Sequence, residues 1–318
     1  AWLPLGLTAD DQWRFTWFGT TSNSGNAADS ADPDNDGLTN AQERTLGYDP
    51  TVVQPVTFTN TSTAATLLWS TAANWNPAAA PVGGTAARIG FFTGQSLATG
   101  TININVDPAG PIAVNQLNLN GSRNATSPVV NLTGSAFALS AAGSTQPSIS
   151  LAGPTSGFTY TVANALTLAA NTTIDGPNSG TFRFSGPISG PGGLTRTGGF
   201  ASLVLSANNS YLGTTTLSAG TTQVGNAGST GTLGAGDILN NASLSFNRTG
   251  TYSLAQAISG TGSFGFTGGA AYTLAGAHSG TGAISVSSSS SLVVSGGISS
   301  ASNLTLSNTA TLENRGSI

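Results

Sequence analysis

The sequence predicts an all-β chain wound into a parallel β-helix, a β-solenoid, preceded by a small helical segment rich in acids. Three observations carry this. Only 6% of the 318 residues are Asp, Glu, Lys or Arg, against roughly 25% in an average soluble domain. Glycine occurs 43 times, while Lys, Cys and Met are absent. Short apolar alternations recur, as in Thr101-Ile-Asn-Ile-Asn-Val106 and Leu117-Asn-Leu119-Asn, the pattern of half-buried strands. The C-terminal part also repeats itself.

Such a composition excludes several classes. Disordered chains are poor in β-branched and aromatic residues, whereas Thr, Val and Ile recur here with 13 Phe, 5 Tyr and 5 Trp. No apolar run approaches the ~18 residues of a membrane-spanning helix. Eight arginines spread over the whole length form no basic patch, so no nucleic-acid partner is expected. Without cysteine, stability rests on packing, backbone ladders or metal. A start at Ala1 rather than at an initiator Met is what a mature exported product would show.

Three regions follow in order. Residues 1–50 hold eight acids (Asp10, Asp11, Asp29, Asp32, Asp34, Asp36, Glu43 and Asp49) and two arginines, a net of −6. Residues 51–318 carry a net of +2. In the first region Thr8 with Asp11 forms a capping-box pattern. Trp13, Phe15, Trp17 and Phe18 then offer an apolar surface, and Gly19 ends the segment. A second short helix is expected from about Leu38 to Leu46, with Gly47 as its left-handed stop.

Between those helices lies the strongest chemical signal. Asp32-Pro-Asp34-Asn-Asp36-Gly37-Leu38-Thr-Asn40-Ala-Gln-Glu43 satisfies every fixed position of D-x-D-x-D-G-x₅-E. Ca²⁺ takes six to eight hard oxygens, and alternate residues of a tight loop aim Asp32, Asp34 and Asp36 at one centre. Gly37 permits the sharp turn. Leu38 would supply its backbone carbonyl, Asn40 a water-mediated contact, and Glu43 a bidentate carboxylate. Four such carboxylates repel one another unless a cation joins them; the alternative is a solvated acidic turn. A single loop without a second of its kind points to a structural clamp rather than a sensor.

The second region, 51–125, mixes strands with Pro and Gly and serves as the solenoid's N-terminal β region. Its Trp69 and Trp75 either cap the open end of the core or offer a stacking surface for sugar. The third region, 126–318, holds the solenoid repeats. Shifted by 70, Asn171–Gly199 aligns on Asn241–Gly269, with Ile188-Ser-Gly190 on Ile258-Ser-Gly260 and Phe182 on Tyr252. Read as three coils, the repeat gives about 23 residues per coil and about eleven coils over 51–318, a rod on the order of 50 Å at ~4.8 Å per strand. Thr, Ser and Asn on the outside would stack in uncharged ladders. A β-sandwich or a string of immunoglobulin-like domains is the alternative, opposed by the repeat and by the lack of a Cys…Trp…Cys core.

Catalytic constellations are hard to assemble, and the chain is read as no enzyme. His278, the only histidine, reads as a solvated turn residue in Ala277-His278-Ser279-Gly280 rather than as a triad base. Beyond residue 50 the acids are Asp107, Asp175, Asp237 and Glu313. At about three coils apart they fail the roughly 5–9.5 Å of a glycosidase pair. Gly260-Thr-Gly262-Ser-Phe-Gly265 reads as a coil turn, not a dinucleotide loop, and Ser287–Ser291 as a serine-faced coil. The sequons at Asn124, Asn247 and Asn303 arise readily in such a composition.

Gly193-Leu-Thr-Arg-Thr-Gly-Gly-Phe-Ala-Ser-Leu203-Val-Leu205-Ser-Ala-Asn-Asn-Ser-Tyr211-Leu-Gly213-Thr-Thr-Thr-Leu217-Ser-Ala-Gly220-Thr-Thr-Gln-Val224-Gly225 resembles the autotransporter-associated β-strand repeat of bacterial surface proteins, with Arg196, Ala207 and Gln223 departing from its pattern. A weaker copy starts near Gly260. Residues 12–50, ending Leu46-Gly-Tyr-Asp-Pro50, are similar to thrombospondin type 3 or dockerin calcium loops, and the Trp69–Trp75 stretch also looks like family sequence. The resemblance implies an exported, right-handed β-solenoid, and it does not imply an enzyme. With no room after the repeats for a β-barrel, a released passenger or a free subunit is expected.

The functional expectation is an extracellular structural subunit that polymerises with itself head-to-tail into a filament or surface fibre. The N-terminal calcium loop would stabilise it, and the uncovered solenoid ends would serve as templates for strand addition. The alternative is a secreted adhesin that grips surface polysaccharide through Ser, Thr and Asn faces. A polysaccharide-active enzyme ranks third.

Overall fold

The computed structural model describes residues 6–54, 57–92, 96–97, 100–123, 129–152, 159–176, 180–199, 202–298 and 303–316. Helix α1 runs Ala9–Phe18. The Thr8 hydroxyl accepts from Asp11 N at 3.1 Å, the Asp11 carboxylate accepts from Thr8 N at 3.2 Å, and Gly19 stops the helix at φ 68°. Trp13, Phe15 and Phe18 of the expected apolar surface are half-buried, and the buried residue of α1 is Arg14. This helix lies on an acidic segment rather than on the apolar core. Arg14 pairs with Asp29 at 2.8 Å and Asp11 at 3.4 Å, leaving Trp17 exposed.

Helix α2 runs Asn40–Leu46, two residues shorter than expected at its start. Thr39 has extended backbone and takes the capping role with Gln42, so Leu38 stays in the preceding loop. Gly47 ends α2 in the left-handed region at φ 76°, as its position predicts.

From Thr57 onward the chain is a parallel β-solenoid. Each coil visits up to three faces. The first face is an eleven-stranded sheet from Thr66–Leu68 to Leu304–Leu306, and the second is a ten-stranded sheet. Between them in chain order lies a third face, built as two separate four-stranded blocks. Among the described strands pairing is parallel apart from the end strand Trp75–Asn76, which runs antiparallel to Thr57–Asn60. Eleven coils on the first face is the number the length predicts.

Register explains the core. On the first face Ile104, Leu132, Val162, Phe184, Leu205, Val224, Phe246 and Phe266 lie directly above one another. All are buried, and each such side chain contributes about 1.5–3 kcal/mol by leaving water. The rings of Phe246 and Phe266 stack at 5.4 Å, and those of Tyr160 and Phe182 at 5.6 Å. Outward residues form the polar ladders expected of them, as where Asn131 Nδ2 donates to Asn103 Oδ1 at 3.0 Å. Phe158 and Asn124 lie outside the described residues.

Coil length is not uniform. Register carries Thr101 to Val129, Thr159, Thr181, Ser202, Thr221, Ser243 and Ser263, so coils shorten from about 30 residues to about 20. This corrects the division of the 70-residue repeat into three coils. Phe182 lies on the first face and Tyr252 on the third; Ile188 lies on the third and Ile258 on the second. Seventy residues span three coils plus one face, because the strand-and-turn unit repeats and the whole coil does not.

The two ends differ. At the N-terminal end Trp69 and Trp75 meet edge-on at 4.9 Å and are buried against Phe91 and Phe137. Each indole N–H donates to a carbonyl, Trp69 to Pro81 at 2.7 Å and Trp75 to Trp69 at 2.8 Å. They cap the core and offer no stacking surface for sugar. At the other end, Leu304–Leu306 and Thr311–Asn314 are the outermost strands among the described residues, and Leu306 is exposed. Ser288 and Ser289, with φ 56° and 58°, form a turn between Ile284–Val286 and Ser291–Val294 rather than a serine-faced coil.

Candidate metal centre

The acidic loop is folded by its own backbone before any ligand is considered. Asn35 and Gly37 take left-handed conformations at φ 61° and 97°, which wrap the chain so that alternate side chains converge. Gly37 N donates to Asp32 Oδ2 at 3.0 Å, Asp36 N to Asp34 Oδ1 at 3.2 Å, and Leu38 N to Asp36 Oδ1 at 2.9 Å. One carboxylate oxygen from each of Asp32, Asp34 and Asp36 lies within 4.8 Å of the others. This is the convergence that the spacing predicts.

Glu43 stands on the first turn of α2 and feels the charges of all three aspartates, although it is not among the carboxylates that converge within 4.8 Å. It is fully buried, and neither carboxylate oxygen has a hydrogen-bond partner. Asp32 Oδ1 and Asp34 Oδ2 are likewise buried without partners. Burial, then the charges of Asp34, Asp36, Asp32 and Asp49, pushes Glu43 up to about 8. Burial, with the Asp36 and Asp34 charges behind it, pushes Asp32 up to about 7. Asp34 and Asp36 are raised too, with burial as the main cause.

Arg14 and Arg44 are committed elsewhere. They hold Asp11, Asp29 and Asp10, and their hydrogen bonds keep the Asp29 carboxyl below its usual range. Asp36 and Glu43 are thus buried and Asp32 and Asp34 half-buried, and among the described residues no ion pair reaches any of them. A buried carboxylate without partners costs several kcal/mol. A hard divalent cation is the chemistry that such a donor set fits.

The other two predicted positions serve the loop differently. Leu38 buries its side chain completely in the solenoid core, which fixes the backbone at that position. Asn40 turns Nδ2 to the carbonyls of Asn26 and Ala28, both at 2.7 Å, and leaves Oδ1 buried without a partner. Its amide thus ties down the preceding loop instead of simply facing solvent water.

Sequence reasoning missed the loop's supports. Asp36 Oδ2 accepts from Gln54 N at 2.9 Å, a backbone contact with no side-chain signal. The Asn35 carbonyl accepts from Ala86 N at 2.8 Å, the Gly37 carbonyl from Val82 N at 3.2 Å, and Gln42 Nε2 donates to the Ala80 carbonyl at 3.0 Å. A Cβ on Gly84 would overlap the Asn35 carbonyl. The Gly83-Gly84 pair was the one visible sign that two backbones meet here. The acidic loop is therefore built onto the first coils of the solenoid.

The remaining titratable residues are dispersed. His278 is a correction: it is buried, not a solvated turn residue. On the second face it stacks between Ile258 and Ile298, edge-on to Phe264 at 5.0 Å, and neither ring nitrogen has a hydrogen-bond partner. Asp107 binds the backbone and hydroxyl of Ser70, and Glu313 pairs with Arg315. Asp175 and Asp237 sit on the second face about three coils apart, roughly 14 Å. Among the described residues no helix is long and apolar enough to cross a membrane.

No family model and no solved structure matches the chain. A stretch of 53 residues is 47% identical to the adhesin BmaC autotransporter of Brucella suis biovar 1 (strain 1330). That stretch is 17% of this chain and spans only 2% of the length of the curated relative. A parallel solenoid together with this short match fits an autotransporter passenger.

Proposed function

We propose that the protein is a non-catalytic, surface-exposed passenger of adhesin type, in which a rigid solenoid presents uncharged faces at a distance from the cell. The continuous eleven-stranded stack of the first face carries this reading. It aligns Ser, Thr and Asn side chains in rows, and a shallow, lysine-free exterior suits contact with another surface better than it suits chemistry. The short match to an autotransporter adhesin supports it. Beads coated with the purified protein should adhere to cell layers or to polysaccharide films. Absence of adhesion on every surface tried would remove the reading.

In the same proposal Ca²⁺ is the resident ion of the acidic cage. Asp32, Asp34, Asp36 and Glu43 would hold it, with the Leu38 carbonyl and Asn40 completing the set. A bound cation would supply positive charge that turns mutual repulsion into cohesion. This chain's own residues do the rest: the carbonyls of Asn35 and Gly37 join the loop to the first coils, so order in the loop becomes order at the capped end. Titration with CaCl₂ after EDTA treatment should raise the thermal midpoint.

A second reading, head-to-tail assembly into a fibre, follows from the parallel stacking of coils, a backbone ladder that a further parallel strand can extend. Electron microscopy of concentrated protein in CaCl₂ tests it, and monomers alone would count against it.

A further inference from the structure

The third face is broken, and the break makes a trough. Regular strands stop at Ile188–Ser189 and resume at Thr251–Leu254. The two coils between cross this face without strand structure. Here Tyr211 turns inward and is fully buried, its hydroxyl at 2.7 Å from that of Thr215. In the next coil Gly234 lies flat on the Tyr211 ring, where any Cβ would overlap it. This leaves an open, shallow depression of about 450 Å³ across the two coils.

Its floor is rigid. Asn209 accepts from Ile188 N at 2.9 Å and donates to the Thr232 carbonyl at 2.7 Å, while Thr232 Oγ1 donates to the Asn209 carbonyl at 2.9 Å. Gln256 Nε2 bridges to the Gly234 carbonyl at 2.6 Å. The rim is different. Leu212 is 65% exposed, the most exposed of the large apolar side chains among the described residues. The hydroxyls of Ser210 and Ser253 have no hydrogen-bond partner among the described residues, and the Tyr252 ring is half-buried beside them.

The chemistry of this lining selects its occupant. No charged side chain lines the trough. The nearest cation, Arg248, lies behind Tyr252 at 4.4 Å from its ring, and its guanidinium donates to the carbonyls of Gly231 and Ser229. Anionic ligands thus find no partner. A peptide strand finds little free backbone either, since Ser210 N, Leu212 N and Ala235 N already donate to Ile188, Gly190 and Tyr211 carbonyls. What remains is a neutral concave strip with an apolar edge and free hydroxyls. The geometry points to a binding trough for an uncharged oligosaccharide chain, its C–H face on Leu212 and Tyr252 and its hydroxyls on Ser210, Ser253 and the Gln256 carbonyl oxygen. This rests on the adhesin reading and names its ligand class.

The test uses the full chain against immobilised hexaoses of β-1,4-glucose, β-1,4-mannose, β-1,4-xylose and α-1,4-glucose, with hexagalacturonate as the charged control. The wild type should bind at least one neutral hexaose tenfold more tightly than the control. Leu212→Asp and Ser253→Arg, both at exposed positions, should each lower that affinity at least tenfold with the thermal midpoint unchanged. Equal binding by wild type and both variants, binding of the charged control alone, or binding of no hexaose would overturn the proposal. Coated-bead adhesion separates the two readings. Beads bearing either variant that adhere as well as wild type remove the trough and leave the adhesin, whereas wild-type beads that adhere nowhere remove both.

Discussion

Single side chains set the electrostatic character of this protein, because so few of them carry charge. His278 is held neutral by burial, which keeps its pKa below the ordinary value. In the unfolded chain it titrates near 6.5. As the pH falls through that value the unfolded state takes up the proton first, so stability declines with acidification. Urea midpoints at pH 7.5 and 5.0, in saturating CaCl₂, should differ more for wild type than for His278→Leu. The reverse ordering would mean that the imidazole gains a partner on protonation. Nothing in Ala277-His278-Ser279-Gly280 announces this burial, since the flanking Gly and Ser read as a turn. Only the parallel register, which places the residue between Ile258 and Ile298, puts it inside.

Glu43 is the opposite case: the spacing singles it out, and it lies buried on α2 with neither oxygen hydrogen-bonded. Its fate without a cation separates repulsion from packing. Glu43→Gln removes one buried charge, so in EDTA the variant should melt at or above the wild-type temperature, while in CaCl₂ it should gain less than the wild type does. Differential scanning calorimetry in both buffers reads the two changes, and an unaltered calcium response would take Glu43 out of the cage.

At the scale of elements, caps and stops were readable and faces were not. Thr8 with Asp11, Gly19 and Gly47 mark helix ends through hydrogen bonds between near neighbours in sequence, which need no tertiary context. The face that α1 buries depends on what lies beneath it, and an acidic segment draws Arg14 inward where an apolar core would have drawn Trp17. The 70-residue self-similarity misled for a related reason: strands look alike whichever face they occupy. The meeting of the acidic loop with residues 82–87 is the element contact with the sharpest consequence. Gly84→Ala would press a methyl group onto the Asn35 carbonyl, costing about 1–3 kcal/mol by overpacking. Chemical denaturation measures that loss, and titration calorimetry should show weakened calcium binding although no ligand residue has changed. Unaltered affinity would uncouple the loop from the solenoid.

For the whole molecule, the one-dimensional stack makes stability local. Each coil touches chiefly its neighbours, so a disturbance at one end decays along the axis. Calcium removal should therefore raise amide exchange first in residues 57–92, the coils that carry the acidic loop, and leave 243–294 protected. Hydrogen exchange with and without EDTA tests this, and uniform loss of protection would reveal a single cooperative unit instead. In the interior, Phe266→Ala should cost about 3–5 kcal/mol, because Phe246 stacks on it and Tyr272 leans against it at 5.0 Å. Urea unfolding gives that figure directly. The number of coils was legible because coils of about 30 and of about 20 residues average close to the figure that the repeat suggests, even though its division into three was wrong. The trough was not, since it arises where a pattern lapses: Tyr211 and Gly234 look ordinary until two coils are laid together.

The even pitch of the last storeys has a genetic corollary. From Ser243 onward each turn of the chain takes about twenty residues, so a slip of about sixty nucleotides during copying inserts or deletes one storey while those above and below keep their seating. Related strains should accordingly carry versions of this rod that differ in height by whole steps at that end, whereas the wider, longer-pitched storeys beside the acidic loop tolerate no such editing.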